Sequence, residues 1–160
     1  MSFHIVRIRG DAVDSMRELL SLFADAFEEA ETYLSKPPGD AYLEDLLARE
    51  GFIALAAVEE GCIVGGLAAY ELKKFEQERS EVYIYDLAVA ESHRRRGVAT
   101  ALIEETVRIA SNLGAWVVYV QADQGDEAPT ALYTKLGVRE DVLHFDIPVP
   151  EDIAVPDGED

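Results

Sequence analysis

The turn that follows the apolar segment 81–89 has the residue types of an anion-binding site. Three consecutive arginines at 94–96 lead into Gly97, in a chain whose formal net charge is −18. Small residues at Gly97 and Ala99 let backbone approach a ligand closely, and a helix that begins here aims unpaired N–H groups at an anion. The pattern predicts a cradle for a pyrophosphate group. The alternative is an exposed basic run, which its position beside a helix start disfavours.

Composition limits the classes of protein to which the chain can belong. Its 160 residues suffice for one domain, and 49% hydrophobic with 29% charged residues is typical of a soluble globular protein. No apolar run has the length of a membrane span and the N-terminus alternates like a strand, so we expect no membrane association and a cytoplasmic location. The single Cys62 excludes an internal disulfide. The three histidines lack ligand spacing, and no metal is predicted.

The acidic excess indicates what kind of partner the protein binds. With 32 Asp and Glu against 14 Lys and Arg, a nucleic-acid surface is disfavoured, because phosphate neutralisation needs clustered cations. A cationic small molecule would be attracted instead. The alternative is that acidity only keeps the protein soluble, and part of it lies in the C-terminal tail 151–160.

Hydrophobic periodicity predicts alternating strands and helices without a repeat or a linker. The predicted elements are a strand at 3–9, a helix reaching Ala30, a short helix from Asp40 to Leu47, a hairpin at 52–58 and 63–72, strands at 81–89 and 115–122, a helix at 98–113, a helix from Pro129 to Leu136 and a final strand at 142–147. These predict an α+β sandwich with a mixed sheet around a central βαβ unit, as a single domain over 1–150. The basic turn then lies at the carboxyl end of a central strand, where such sheets commonly bind ligands.

Two motifs make the chain similar to the GNAT superfamily of acetyl-coenzyme A dependent N-acetyltransferases. The signature Arg/Gln-x-x-Gly-x-Gly/Ala is met by Arg94, Gly97 and Ala99, with Leu87 and Val89 upstream. Downstream, the segment Ala-Leu-Tyr-Thr-Lys-Leu-Gly at 131–137 resembles the second motif, which contributes a tyrosine near the coenzyme sulfur. The resemblance implies the GNAT fold, a mostly antiparallel mixed sheet and acetyl-coenzyme A as cofactor.

A narrower resemblance is to the aminoglycoside 3-N-acetyltransferases of the gentamicin type. The segments that carry it are 52–57, 67–70, 74–77, 83–89, 119–123 and 144–147, and it extends over most of residues 15–147. It implies acetyl transfer to the 3-amino group of a deoxystreptamine aminoglycoside, a role in antibiotic resistance and a homodimer. The first 14 residues, segment 29–40 and the tail carry little of the resemblance.

Acetyl transfer to an amine needs a base, because only the neutral nitrogen attacks a thioester. Asp86 is the predicted base, acting directly or through water, since it lies three residues before Val89 and the resemblance places an acid there. Strict strand alternation would put Asp86 on one face with Val82 and Ile84, away from Tyr83, unless a bulge redirects it. A structural, paired aspartate is the alternative.

Tyr133 is the predicted acid that protonates the departing thiolate, and a core tyrosine is the alternative. The predicted cofactor-binding residues, acting mainly through their backbone, are Leu87, Ala88, Val89, Arg94, Arg95, Arg96, Gly97, Val98, Ala99 and Thr100. The predicted acceptor-binding residues are Glu29, Tyr83, Tyr85, Asp123, Asp126 and Asp146. The alternative for each of these carboxylates is that it is an ordinary solvated surface group. The alternative for the two tyrosines is that they pack as a cross-strand aromatic pair.

Two other functions remain compatible with the sequence. The same architecture could acetylate a polyamine, another small amine or a protein amino group, because the cofactor motif is shared more widely than any acceptor site. A coenzyme-binding sensor without turnover is the alternative from another class, and the presence of both Asp86 and Tyr133 argues against it.

Overall fold

One five-stranded sheet organises the protein in the computed structural model, which describes residues 2–151. The elements are β1 (His4–Arg7), α1 (Val13–Phe27), α2 (Ala30–Leu34), α3 (Asp40–Ala48), β2 (Phe52–Glu59), β3 (Cys62–Lys73), β4 (Ser80–Val89), α4 (Val98–Leu113), β5 (Ala115–Val120) and α5 (Glu127–Leu136). The strands lie in chain order. Neighbours are antiparallel except β4 and β5, which are parallel. The predicted α+β class and mixed sheet are confirmed.

Helix α4 connects the two parallel strands. Its apolar positions recur at helical spacing and bury Val98, Leu102 and Ile109 against the sheet. Gly114 ends the helix in the left-handed conformation, with φ 81°. The predicted helix at 98–113 is therefore confirmed at both ends. Neither α4 nor any other helix between residues 2 and 151 combines the length and the apolar character that crossing a membrane requires.

The sheet separates two hydrophobic cores. Helices α1 and α3 cover one face, where Leu19, Phe23 and Leu43 are almost completely buried. Helix α4 covers the other face, where Leu102 packs against β-strand residues such as Ile84. Small residues are frequent on the first face of the central strands, so the helices there lie close to the backbone.

Two adjacent glycines in β3 allow this close approach. A Cβ atom at Gly66 would lie 1.9 Å from Leu19 Cδ1 of α1, and one at Gly65 would lie 2.7 Å from Val98 Cγ1 of α4. Consecutive strand residues point to opposite faces, so each glycine accommodates one helix. The absence of a side chain at Gly65 thereby lets the first turn of α4 pack against the centre of the sheet.

A β-bulge in β4 changes which side chains share a face. Ile84 pairs with Ala69 and Asp86 with Ala68, so Tyr85 is an extra residue without a partner in β3. Before the bulge, Ile84 packs in the α4 core; after it, Leu87 does. Asp86 is therefore turned to the α1 face, opposite to the face that strict alternation assigns to it.

The same bulge marks the end of the β4–β5 ladder. Pairing between these strands runs from Ser80 and Ala115 to Ile84 and Val120, whereas β4 continues beside β3 as far as Val89. The ladder stops at Ile84 because its partner Val120 is the last residue of β5. The last residues of β4 keep one edge that β5 does not cover.

Two predicted elements differ from the structure. Helix α1 ends at Phe27 rather than Ala30, because Glu28 adopts a left-handed conformation with φ 54° and starts a break before α2. The predicted strand at 142–147 is wrong: residues 138–150 form neither helix nor strand. An alternating pattern shows only that the side chains would suit a strand, and this segment has no neighbouring strand within residues 2–151. The predicted tail lies outside the described residues except for Glu151.

Gly66→Ala should destabilise the protein by about 1–3 kcal/mol, because the new methyl group would overlap Leu19 Cδ1, and the fully buried Leu19 side chain must change its rotamer or α1 must shift. Urea denaturation followed by circular dichroism measures the change. The control is Gly39→Ala, where no atom lies within 4 Å and φ is −72°. Equal stability of the two variants would contradict the close approach of α1 to β3.

Candidate active site

A row of aromatic rings crosses four strands on the α1 face of the sheet. Ring centroids are 5.3 Å apart for Phe52 and Tyr70, 6.0 Å for Tyr70 and Tyr85, and 5.9 Å for Tyr85 and Tyr83. Tyr83 then stacks on Tyr119 at 4.7 Å with planes 8° apart. Tyr85 is 62% exposed. We call these five residues the aromatic floor; it is a rigid apolar surface with electron-rich ring faces open to a ligand.

Asp86 lies beside this floor because of the bulge at Tyr85. Its Oδ2 accepts a hydrogen bond of 3.1 Å from the Tyr33 hydroxyl. Burial raises the pKa of Asp86, the hydrogen bond from Tyr33 opposes this, and the nearby charge of Glu29 raises it further. The environment therefore produces a carboxylate with greater basicity than one in water, held in one orientation by a donor.

Tyr33 is a site residue that the sequence analysis missed. It lies in α2, and its ring packs against Phe23 at 6.1 Å and Phe27 at 5.9 Å. Burial and the adjacent charge of Asp86 raise the pKa of Tyr33, so its hydroxyl keeps its proton and acts as a donor. Helix α2 has only five residues, too short for periodicity to show which face meets the sheet. No sequence signal identified Tyr33.

The structure brings Glu29, Tyr83 and Tyr85 together around Asp86. Glu29 is the residue before α2, and its charge acts on both Asp86 and Tyr33. The Tyr83 hydroxyl donates to Gln121 Oε1 at 2.9 Å, which fixes the ring at the end of β5. Three of the six predicted acceptor-binding residues thus surround one carboxylate.

The start of α4 has the geometry of an anion site. Gly97 adopts φ 81° before the helix, and no side chain caps the first turn. The first bond of the helix runs from Ala101 N to Gly97 O, so the amides of Val98, Ala99 and Thr100 have no helical acceptor. These N–H groups and the positive helix end fit a diphosphate, as predicted from the sequence.

The second feature of the candidate cofactor site is the edge of β4 that no strand among residues 2–151 covers. Leu87, Ala88 and Val89 pair with β3 on one side only, because β5 ends at Val120, the partner of Ile84. An extended chain such as the pantetheine arm of coenzyme A could bind there as an added strand does. The helix end and the strand edge together fit the predicted cofactor.

The arginine side chains of the turn bind protein groups. Arg94 Nε donates to the carbonyl of Val89 at 3.1 Å, and Arg96 Nη2 to Glu59 Oε1 at 3.2 Å. Arg95 is exposed and has φ 61°. The predicted anion site therefore depends on backbone amides, while Arg94 and Arg96 hold the turn in place.

Glu59 is a second residue that the sequence analysis missed. Its side chain is 8% exposed at the end of β2 and bonds both Arg96 and His93, whose Nε2 is 2.5 Å from Glu59 Oε2. The hydrogen bond with His93 holds the pKa of Glu59 below its usual range, helped by the charge of Arg96. A buried carboxylate at a strand end could not be distinguished by sequence from the many surface glutamates.

The other predicted site residues lie in the C-terminal part of the chain. Tyr133 is half-buried on α5, and burial followed by the charge of Asp126 raises its pKa. Asp123 is exposed in the turn before α5. Asp146 accepts a 2.8 Å hydrogen bond from His144 on an exposed segment. No contact of Asp123 or Asp146 with Asp86 is present among the described residues.

From residue 2 to 151, no cluster of three or more His, Cys, Asp or Glu side chains could bind a metal ion.

Residues 16–138 match the family described as acetyltransferase (GNAT) family, and the chain belongs to this family. It is an acetyl-transferring enzyme.

A solved aminoglycoside acetyltransferase from an uncultured soil metagenomic sample is 58% identical to this chain, with a TM-score of 0.92. The match covers 94% of this chain and 100% of the solved chain. A second from such a sample, solved with sisomicin, is 30% identical, with TM-score 0.85, over 92% and 97%. Ribosomal-protein-alanine N-acetyltransferase from Brucella melitensis biovar Abortus 2308, at 23% identity, 93% and 100% coverage and TM-score 0.71, shares the fold.

Tyr33→Phe should move the acid limb of the pH profile of kcat/KM to higher pH. The Tyr33 hydrogen bond lowers the pKa of Asp86, so its removal raises that pKa further, and the ionised base forms only at higher pH. Initial rates across a pH series measure the shift. Tyr42→Phe is the control, because Tyr42 is 67% exposed. An unchanged acid limb in Tyr33→Phe would show that this hydrogen bond does not tune the base.

Glu59→Gln should weaken binding of coenzyme A about tenfold, equal to about 1.4 kcal/mol, because His93 and Arg96 lose the charge that holds the turn. Isothermal titration calorimetry measures the dissociation constant. Glu91→Gln is the matched control, since Glu91 is exposed on the same turn.

Glu59 should also contribute to stability in a defined pH range. Because the folded-state pKa of Glu59 is lowered, its contribution to stability is present above the unfolded-state pKa and is lost as the pH falls through the folded-state pKa.

Equal dissociation constants of coenzyme A for Glu59→Gln and Glu91→Gln would contradict the role of Glu59 in holding the turn.

Proposed function

We propose that this enzyme transfers acetyl from acetyl-coenzyme A directly to the 3-amino group of a deoxystreptamine aminoglycoside, and so inactivates the antibiotic. The observation that carries the proposal is the position of Asp86, on the aromatic floor and on the same strand as the uncovered edge of β4. This position supports a role for Asp86 as a base between the proposed acceptor surface and the proposed site for the acyl donor. The similarity to aminoglycoside acetyltransferases over nearly the whole chain supports the choice of acceptor.

The charge and shape of the acceptor side suit a polycationic sugar. Aminoglycosides carry several ammonium groups, which the net charge of −18 attracts and which Glu29 and Asp86 bind locally. The exposed ring of Tyr85 offers a cation–π partner to a further ammonium group. Asp123, Asp126 and Asp146 are proposed to bind the more distant amines of the substrate.

The residues of the β4 edge and of α4 are proposed to hold the donor. The amides of Val98, Ala99 and Thr100 bind the diphosphate, and the backbone of Leu87 and Val89 pairs with the pantetheine arm. Acetyl-coenzyme A supplies the thioester when bound. Leu87 and Val89 follow Asp86 by one and three positions on β4, so a thioester held along this edge would lie near the Asp86 carboxylate.

Asp86 is proposed to bind the substrate ammonium group and then accept its proton, directly or through water. The raised pKa of Asp86 narrows the gap between the basicity of the carboxylate and that of the amine, which favours this transfer. The neutral nitrogen forms a bond to the acetyl carbon as the carbon–sulfur bond breaks, and the acylated nitrogen then loses its remaining ammonium proton to water. Tyr133, whose raised pKa keeps it protonated, donates a proton to the departing thiolate and regains one from water.

A thiol-release assay with the purified enzyme tests the acceptor. Gentamicin, spermidine and a peptide with a free amino terminus serve as parallel substrates, and NMR of the product assigns the modified nitrogen. The proposal requires gentamicin to give the highest kcat/KM, with acetylation at the 3-amino group. Preference for spermidine or peptide, or acetylation at another nitrogen, would reject the assigned acceptor. Coenzyme binding without product from any amine would reject turnover itself.

Asp86→Asn should lower kcat by about 10²–10⁴-fold, the usual effect of removing a general base, and should leave coenzyme affinity nearly unchanged. It should also raise Tm at neutral pH. The folded-state pKa of Asp86 is raised by burial, so the ionised carboxylate is destabilising above that pKa, and asparagine removes this charge. Steady-state kinetics, calorimetry and thermal denaturation measure the three effects.

The control for this substitution is Asp45→Asn, on an aspartate that is 70% exposed in α3. Gly97→Glu provides the opposite pattern, because a side chain at φ 81° and a negative charge beside the helix end should abolish coenzyme binding. Wild-type turnover in Asp86→Asn would remove Asp86 from the mechanism.

A further inference from the structure

A cavity of about 350 Å³ lies at the end of α4 that is remote from the basic turn. It lies between β1, the connection from α3 to β2 and the last turns of α4. Val98 and Asn112 stand near opposite ends of this 16-residue helix, about 20 Å apart along its axis. The cavity is therefore separate from the turn proposed to bind the diphosphate, and its volume suits a small molecule.

Three arginines line this cavity in a chain that has only 14 Lys and Arg residues. Arg7 and Arg9 flank Ile8, whose side chain is buried in the core under α1 and whose amide pairs with β2. Strand alternation therefore directs both arginines to the opposite side, towards α4. Arg108 reaches the cavity from α4 itself. We call this space the arginine cavity.

The carboxylates at the arginine cavity leave two of the three arginines unpaired. Glu105 is the partner of Arg108, whose Nε donates to it at 2.9 Å. Glu50 is exposed. Among the described residues, no ion pair includes Arg7 or Arg9. Two guanidinium charges thus lie at one cavity without a carboxylate partner in the described part of the chain.

Arg7 is held in position at the cavity wall. Its Nη2 donates to the carbonyls of Glu50 at 3.0 Å and Phe52 at 3.1 Å. Its Nε is buried without an acceptor in residues 2–151. Burial and the like charge of Arg9 lower the pKa of Arg7, and the nearby glutamate charges oppose this without cancelling it. The surroundings of Arg7 therefore lack negative charge, which a bound anion would supply.

We propose that the arginine cavity binds a small dianion, of the class of phosphate monoesters and dicarboxylates, through the guanidinium groups of Arg7 and Arg9. A guanidinium group gives paired, charge-assisted hydrogen bonds to a carboxylate or a phosphate. Two unpaired guanidinium charges match two negative charges on one ligand. Asn112 at the cavity wall adds an amide donor.

The position of the cavity makes this binding depend on the arginines. The last turn of α4 carries the negative end of the helix dipole, which disfavours an anion. The amide of Gly114 already bonds the carbonyls of Ala110 and Ser111 and reduces this effect. Affinity for the dianion therefore comes from the guanidinium groups, and loss of one should weaken it directly. The proposal does not depend on which amine the enzyme acetylates.

Isothermal titration calorimetry of the coenzyme A-saturated enzyme tests the ligand class. Saturating coenzyme A keeps an added anion from the proposed diphosphate site. Inorganic phosphate and succinate are the dianionic probes, and acetate at equal ionic strength is the monoanionic control. We expect one site per chain for at least one dianion, with acetate bound at least about tenfold more weakly. Binding of neither dianion, or equal binding of acetate, would overturn the proposal.

The two dianions also distinguish the two sources of this chemistry. Binding of phosphate alone would assign the site to phosphate monoesters, and binding of succinate alone would assign it to dicarboxylates. Comparable binding of both would support recognition of the two charges rather than of the ligand's shape.

Arg9→Gln tests the location of the site. Arg9 is exposed, so the variant should fold normally, and it should bind the dianion about tenfold more weakly. Arg139→Gln is the matched control, because it removes the same charge from a side chain that is 62% exposed outside the cavity. Equal affinities in the two variants would overturn the site.

NMR of the wild-type enzyme locates the bound dianion without a substitution. Titration with the tighter-binding probe in the presence of coenzyme A should shift backbone amide signals of residues 7–9 and 105–113. Shifts confined to other parts of the chain would overturn the arginine cavity as the binding site.

Discussion

The β-bulge at Tyr85 is the feature on which the rest of the site depends. One extra residue in β4 turns Asp86 from the α4 core to the face that bears the tyrosines, and it lies next to Ile84, the last residue that β5 pairs with. The carboxylate that we propose for the acceptor thus lies beside the uncovered strand edge that we propose for the donor. Regular pairing of β4 would bury the carboxylate in an apolar core and close the edge.

Most of the fold could be predicted from the sequence because its central elements have strong periodicity and clear ends. The hairpin of β2 and β3 and helix α4 were found within a residue or two, and the class of the sheet followed from their order. The final strand was wrong for a physical reason. Alternation in segment 142–147 indicates a preference for a strand, whereas pairing depends on a neighbouring strand, and residues 2–151 supply none beside this segment.

The site divides in the same way into local and non-local features. The turn before α4 can be identified as a candidate anion site from the sequence because its glycine and helix start are contiguous, and Asp86 becomes a candidate base because it lies on the adjoining strand. Tyr33 and Glu59 were not predicted, since each acts on a residue more than 30 positions away through a single hydrogen bond or ion pair. Neither residue belongs to a motif of fixed spacing, so only the three-dimensional structure shows that each lies beside its partner.

The glycine pair in β3 has a consequence for how the enzyme can be altered. Gly66 sets how near α1 lies to the sheet, and Gly65 does the same for the start of α4. Because the two positions open onto opposite sides of one strand, the distance of α1 from the sheet and the position of the first turn of α4 can change separately. Substitutions that reshape the face with the aromatic floor therefore do not have to disturb the turn before α4.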